Sequence, residues 1–76
     1  MILTIDAGNT RTKWAVFNAD NAVQASGVLD HANLSAPPAL WAICRMAVIA
    51  NVAGDAAADR LKAILGNIPK HWVAAE

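Results

Sequence analysis

One short run, Ile5-Asp6-Ala7-Gly8-Asn9-Thr10-Arg11-Thr12-Lys13, combines a carboxylate, a glycine turn, small hydrogen-bonding side chains and two cations. Those groups suit the triphosphate end of a nucleotide. Asp6 would meet charge repulsion from a phosphate. It could instead anchor Mg²⁺ through waters that the ion retains while the ion itself binds phosphate oxygens. Gly8 lacks a Cβ, which lets a phosphate approach the main chain and accept hydrogen bonds from turn amides. Asn9 and Thr10 add side-chain donors, and Lys13 adds a point charge. Other phosphate-binding designs do not fit the run. A Walker loop needs Gly-Lys followed by Ser or Thr at a helix mouth, whereas here Thr12 precedes Lys13 and Trp14-Ala15-Val16-Phe17 follows. A dinucleotide fingerprint needs further glycines and a helix. The same residue types also make an ordinary hairpin, since Asp, Gly and Asn form turns and charged residues blunt sheet edges.

The elements around the run follow from periodicity. Ile2-Leu3-Thr4-Ile5 and Trp14-Ala15-Val16-Phe17 are short and β-rich, so Gly8-Asn9-Thr10 reads as the turn of a β-hairpin. Ala22 to Val28 supplies a third antiparallel strand after the Asn18-Ala19-Asp20-Asn21 turn. Asp30 to Pro38 is punctuation, and the proline pair delays any helix until Ala39-Leu40-Trp41-Ala42-Ile43-Cys44, which is expected to be short. Met46 to Val52 is a continuous apolar run of the buried-strand kind, with Gly54-Asp55 as turn and N-cap. From Ala56 to Leu65, Ala57, Leu61, Ile64 and Leu65 share one helical face while Asp59, Arg60 and Lys62 take the solvent side. Gly66 is placed to end that helix in a left-handed conformation. Lys70 to Ala75 reads as a last strand.

Composition narrows the class. Six basic and six acidic residues balance to zero net charge, which supplies no electrostatic footprint for nucleic acid and no polybasic patch for a membrane. No apolar stretch approaches the roughly 18 residues of a membrane span. The N-terminus carries no secretory pattern, so the expected location is cytoplasmic. Cys44 has no disulfide partner and no zinc-ligand neighbours, and is expected in the core. Trp14, Trp41 and Trp72 are expected to fill the core or an interface, because base stacking would need a basic groove beside them. His31 and His71 have no nucleophile nearby in the sequence and are read as passive. At 76 residues the chain can form one small domain with little stability margin.

Asp6-Ala7-Gly8-Asn9-Thr10 followed by Lys13-Trp14 resembles the first phosphate motif of type III pantothenate kinases, within the acetate and sugar kinase, Hsp70 and actin superfamily. Asn9 carries the match, because sugar kinases and their relatives usually have Gly-Gly-Thr or a similar variant there. Val48-Ile49-Ala50-Asn51-Val52-Ala53-Gly54 is similar to a second, less diagnostic segment. The resemblance covers nearly the whole chain but only the beginning of the family's proteins. It implies an α/β fold, a ribonuclease H-like half-domain of order βββαβαβ with a mixed sheet, incomplete over residues 1–76, as the first part of an actin-like ATPase or kinase domain.

The resemblance also implies function. Asp6, Ala7, Gly8, Asn9, Thr10, Arg11, Thr12 and Lys13 would bind ATP phosphates, with Asp6 as the Mg²⁺ anchor. The reaction would transfer the γ-phosphoryl group of ATP to pantothenate, the first committed step towards coenzyme A. A monovalent cation, K⁺ or NH₄⁺, and a homodimer belong to the same expectation. The family's Gly-x-Asp-Arg motif, whose Asp resembles a catalytic base, and its Asp-x-Gly-Thr motif do not occur here; Asp59-Arg60 follows Ala57-Ala58. No catalytic residue is assigned in this chain, and the fragment alone is expected to be inactive. A non-enzymatic regulatory or protein-binding module with a kinase-like hairpin is the alternative.

Overall fold

A computed structural model describes residues 1–30 and 38–73. Five strands form one mixed sheet: β1 (Ile2–Ala7), β2 (Arg11–Phe17), β3 (Val23–Asp30), β4 (Met46–Asn51) and β5 (Lys70–Val73), in spatial order β3-β2-β1-β4-β5. The hairpin strands β1, β2 and β3 pair antiparallel, whereas β4 pairs parallel with β1 on one side and with β5 on the other. The single α-helix among the described residues, α1 (Asp55–Leu65), connects β4 to β5. The expected α/β half-domain with a mixed sheet is therefore present.

Several boundaries differ from the sequence reading for identifiable reasons. β1 continues to Ala7 and β2 begins at Arg11, because Asp6, Arg11 and Lys13 alternate onto an exposed face and so extend the strands that their polarity disguised. β3 runs on to Asp30, which pairs with Arg11, so Asp30 belongs to a strand and not to the loop. The short helix after Pro38 is a 3-10 segment, Ala39–Ile43, bounded by extended Pro38 and Cys44. Positions 31–37, His31 among them, which the sequence reading takes as loop, and positions 74–76, the tail of the last predicted strand, lie outside the described residues.

Helix α1 forms from an Ala-rich segment of good helix formers, and it buries Ala57, Leu61 and Leu65 against the sheet while Asp59, Arg60 and Lys62 remain exposed. Its N-cap is Gly54, at φ 94°, and no side chain caps it; Asp55, expected as a cap, is the first helical residue. At the other end Gly66 takes φ 55° and ψ −122°, a conformation open to glycine but outside the left-handed helical basin that was expected. Its amide donates to the Lys62 carbonyl, and the Lys70 ammonium donates to the Gly66 and Ile68 carbonyls, which satisfies acceptors released at the helix end.

The core lies between one sheet face and the layer made by α1 and the 3-10 segment. Leu3, Ile5 and Ala7 of β1, Val16 of β2, and Ala47 and Ile49 of β4 meet Trp41, Cys44, Leu61 and Leu65. Burying a leucine such as Leu61 contributes roughly 1.5–3 kcal/mol. Trp14 packs edge-on to Trp41, with centroids 6.0 Å apart and rings at 73°. Trp14 can lie flat over β3 because its cross-strand partner is Gly27, where an added Cβ would come within 2.9 Å of the indole. Gly27→Ala is expected to displace that ring and cost roughly 1–3 kcal/mol. Urea unfolding checks this; a midpoint equal to that of the parent would show that the indole yields freely. Burial pushes the Cys44 thiol above its usual pKa, opposed by the N-terminal ammonium, so it remains a neutral core thiol as its sequence context suggests.

Candidate functional site

The hairpin turn stands at the carboxyl edge of the parallel strands β1 and β4, where open α/β sheets place their ligands. Its closure is a hydrogen bond from the Gly8 amide to the Arg11 carbonyl, at 2.9 Å, with Asn9 and Thr10 exposed at the tip. Neither tip residue has positive φ, and Gly8 does not either. Glycine at position 8 eases a close approach: a Cβ there would lie 3.2 Å from the Arg11 carbonyl oxygen, a tight contact that the turn would have to relax by a few tenths of an ångström.

Strand alternation divides the five candidate residues that lie in β1 and β2 between two faces. Asp6 is exposed on β1 directly opposite exposed Lys13 on β2, so carboxylate and ammonium share one face just below the turn. Exposed Arg11 alternates onto that face too, paired in register with Asp30. Ala7 and Thr12, paired with each other, project to the opposite face and are fully buried. The Thr12 hydroxyl has no hydrogen-bond partner among the described residues, as is also true of the Trp14 and Trp41 indole N–H groups. The structure thus brings together Asp6, Gly8, Asn9, Thr10 and Lys13, and turns the side chains of Ala7 and Thr12 inwards. The parity of Thr12 with Trp14 and Val16 is the sequence signal for its burial.

A second loop meets the turn at the same edge. Ala7 is in register with Asn51, and the Val52 amide donates to the Ala7 carbonyl at 2.9 Å. The Asn51 side chain accepts from the Ala53 amide and donates to the Gly54 carbonyl, each at 3.0 Å, which shapes the entrance to α1. Asn51 is therefore occupied within its own loop, an Asx-type arrangement. The Val52 link was not visible in the sequence, because a main-chain contact between distant segments leaves no residue-type signature.

The donor set suits Mg²⁺ better than a fully protein-ligated metal. Among the described residues no group of three or more His, Cys, Asp or Glu side chains could hold a metal ion, whereas Mg²⁺ commonly binds through one or two carboxylates plus waters and phosphate. An exposed Asp6 beside turn amides meets that requirement. Among the described residues, clefts also lie elsewhere. One of about 310 Å³ runs between Trp41 and Ala42 of the 3-10 segment and Ile64 and Leu65 of α1. Another of about 290 Å³ lies at the far end of the sheet, beside Phe17, Asn18 and Arg45.

Comparison with known proteins shows what the chain is similar to. No family model matches the chain. A protein of Burkholderia thailandensis is 43% identical over 79 residues, covering 95% of this chain. It is a type III pantothenate kinase. This chain resembles that family. The type III pantothenate kinase of Methylobacillus flagellatus is also 43% identical, over 75 residues and 93% of the chain, and that of Burkholderia mallei (strain ATCC 23344) is 43% identical over 65 residues and 86% of the chain. The chain spans 27%, 28% and 25%, respectively, of the lengths of these three kinases. The resemblance drawn from Gly8-Asn9-Thr10 and Lys13 thus extends over most of the 76 residues.

Proposed function

We propose that this chain is the ATP-phosphate-binding portion of a pantothenate kinase, an enzyme that phosphorylates pantothenate towards coenzyme A. The observation that carries the reading is the Asp6–Lys13 pair beneath a glycine turn at the carboxyl edge of β1 and β4, in a chain 43% identical to type III pantothenate kinases. Phosphoryl transfer depends mainly on positioning and charge neutralisation. Mg²⁺, when bound, would neutralise phosphate charge. Asp6 would hold that ion, Asn9 and Thr10 would donate to phosphate oxygens, Lys13 places a positive charge beside them, and Arg11 stands at the margin. Gly8 keeps the turn tight through its amide hydrogen bond to Arg11, and Ala7 and Thr12 support the turn from the buried side of the hairpin. ATP and pantothenate are the substrates. The monovalent cation, K⁺ or NH₄⁺, and the homodimer contacts fall to residues outside this chain, in a cytoplasmic protein that engages neither nucleic acid nor membrane.

A chimera tests the reading: residues 1–76 replace the matched segment of the Burkholderia thailandensis kinase. The folded chimera is expected to form phosphopantothenate from Mg·ATP and pantothenate. A folded chimera that binds pantothenate but transfers no phosphoryl group would overturn the assignment. The purified 76-residue chain is expected to form no phosphopantothenate, because no residue in it is assigned as the substrate base. Turnover by that chain alone would show that the division of labour is wrong.

A further inference from the structure

The Ala7–Gly8 peptide, where β1 enters the glycine turn, is held at both of its polar edges. Its carbonyl oxygen accepts from the Val52 amide and its N–H donates to the Arg11 carbonyl, each at 2.9 Å. A peptide unit is planar, so bonds to its opposite edges fix how the plane is turned about the chain. The Arg11 bond lies within the hairpin, whereas the Val52 bond comes from the loop between β4 and α1. The setting of the Gly8 turn therefore depends on a segment distant in sequence. Asn51 braces that segment. Its Oδ1 accepts from the Ala53 amide and its Nδ2 donates to the Gly54 carbonyl, each at 3.0 Å. The first bond closes a ring around Val52, and the second ties the ring to the N-cap of α1. The Val52 side chain, 53% exposed, gives the loop little packing, and Gly54 has open space where a Cβ would lie.

We propose that Asn51 is a positioning residue for the phosphate site. By bracing Val52 it aims the Val52 amide at the Ala7 carbonyl, which sets the Ala7–Gly8 peptide between Asp6 and the turn residues Asn9 and Thr10. The inference rests on the phosphate-site reading of that turn. Asn51 uses its Oδ1 and an Nδ2 hydrogen within its own loop, so it acts through the main chain and not as a ligand. Its contribution is one of placement: a reacting group displaced by about 1 Å can cost on the order of 10²-fold in rate. Asn51 is half-buried at the end of β4 and outside the core cluster, so its truncation disturbs the loop without opening the core.

The test joins amide hydrogen exchange, read at single residues without nucleotide, to steady-state kinetics in the folded chimera. Asn51→Ala is expected to speed exchange at Val52 and Gly8 by about tenfold or more. It is expected to lower kcat by about 10- to 100-fold while KM for Mg·ATP moves by less than about threefold. Asn51→Ser keeps an oxygen that can accept from the Ala53 amide and is expected to recover kcat to within about fivefold of the parent. Ala63→Gly is the control for a merely structural role, because it weakens α1 from an exposed position away from the loop. It is expected to lower the Tm and to leave kcat within about twofold of the parent. Parental exchange at Val52 and Gly8 in Asn51→Ala would overturn the proposal. So would equal losses of kcat in Asn51→Ala and Ala63→Gly, since helix stability would then be the cause. A parent chimera without turnover counts against the kinase reading, and the exchange measurement still decides whether Asn51 sets the Gly8 turn.

Discussion

Asp6→Asn in the folded chimera is expected to reduce kcat/KM for Mg·ATP-dependent phosphorylation by roughly 10² to 10⁴, with an unchanged Tm. The substitution preserves size and turn preference and removes the charge. Asp6 is exposed at the end of β1 and lies across from Lys13, so its loss opens no cavity in the core. A metal anchor therefore fails without a stability signature. Near-parental turnover accompanied by a lower melting temperature would make Asp6 a turn-forming residue and would remove the strongest side-chain support for the phosphate site. Raising Mg²⁺ concentration provides an internal check, since a weakened anchor is partly restored by mass action.

Trp41→Ala is expected to cost about 3–5 kcal/mol, enough to unfold much of a small domain. Trp41 is 2% exposed and joins the 3-10 segment to the core, meeting Trp14 edge-on. Trp41→Phe should retain most of the stability, because it preserves an aromatic ring against Trp14 and removes an indole N–H that has no hydrogen-bond partner among the described residues. Urea unfolding followed by circular dichroism separates the two variants. A Trp41→Ala midpoint close to that of Trp41→Phe would mean that the indole contributes little to holding the layers together.

The sequence made the local features legible and concealed those built from distant contacts. Gly8-Asn9-Thr10 announced its turn through residue types, and Leu61 and Leu65 announced the buried side of α1 through their spacing. Asp6 and Lys13 were legible as a charge pair about a turn, but their shared face follows from the antiparallel register of β1 and β2. Thr12 entered the reading as a phosphate ligand through the resemblance of the motif; its phase with Trp14 and Val16 places its side chain in the core instead. The choice of 3-10 over α geometry after Pro38 depends on extended residues at both ends. The Trp14 slot over Gly27 arises from pairing across two strands, which no local window displays.

The pairing pattern also orders the site in folding. β1, β2 and β3 are successive antiparallel neighbours, so the turn bearing Gly8 closes from contacts near in sequence. β4 must find β1 across both intervening strands and the 3-10 segment, a larger loop closure and a slower kind of encounter. The edge where Val52 meets Ala7 is consequently expected to close later in folding than the Gly8 hairpin.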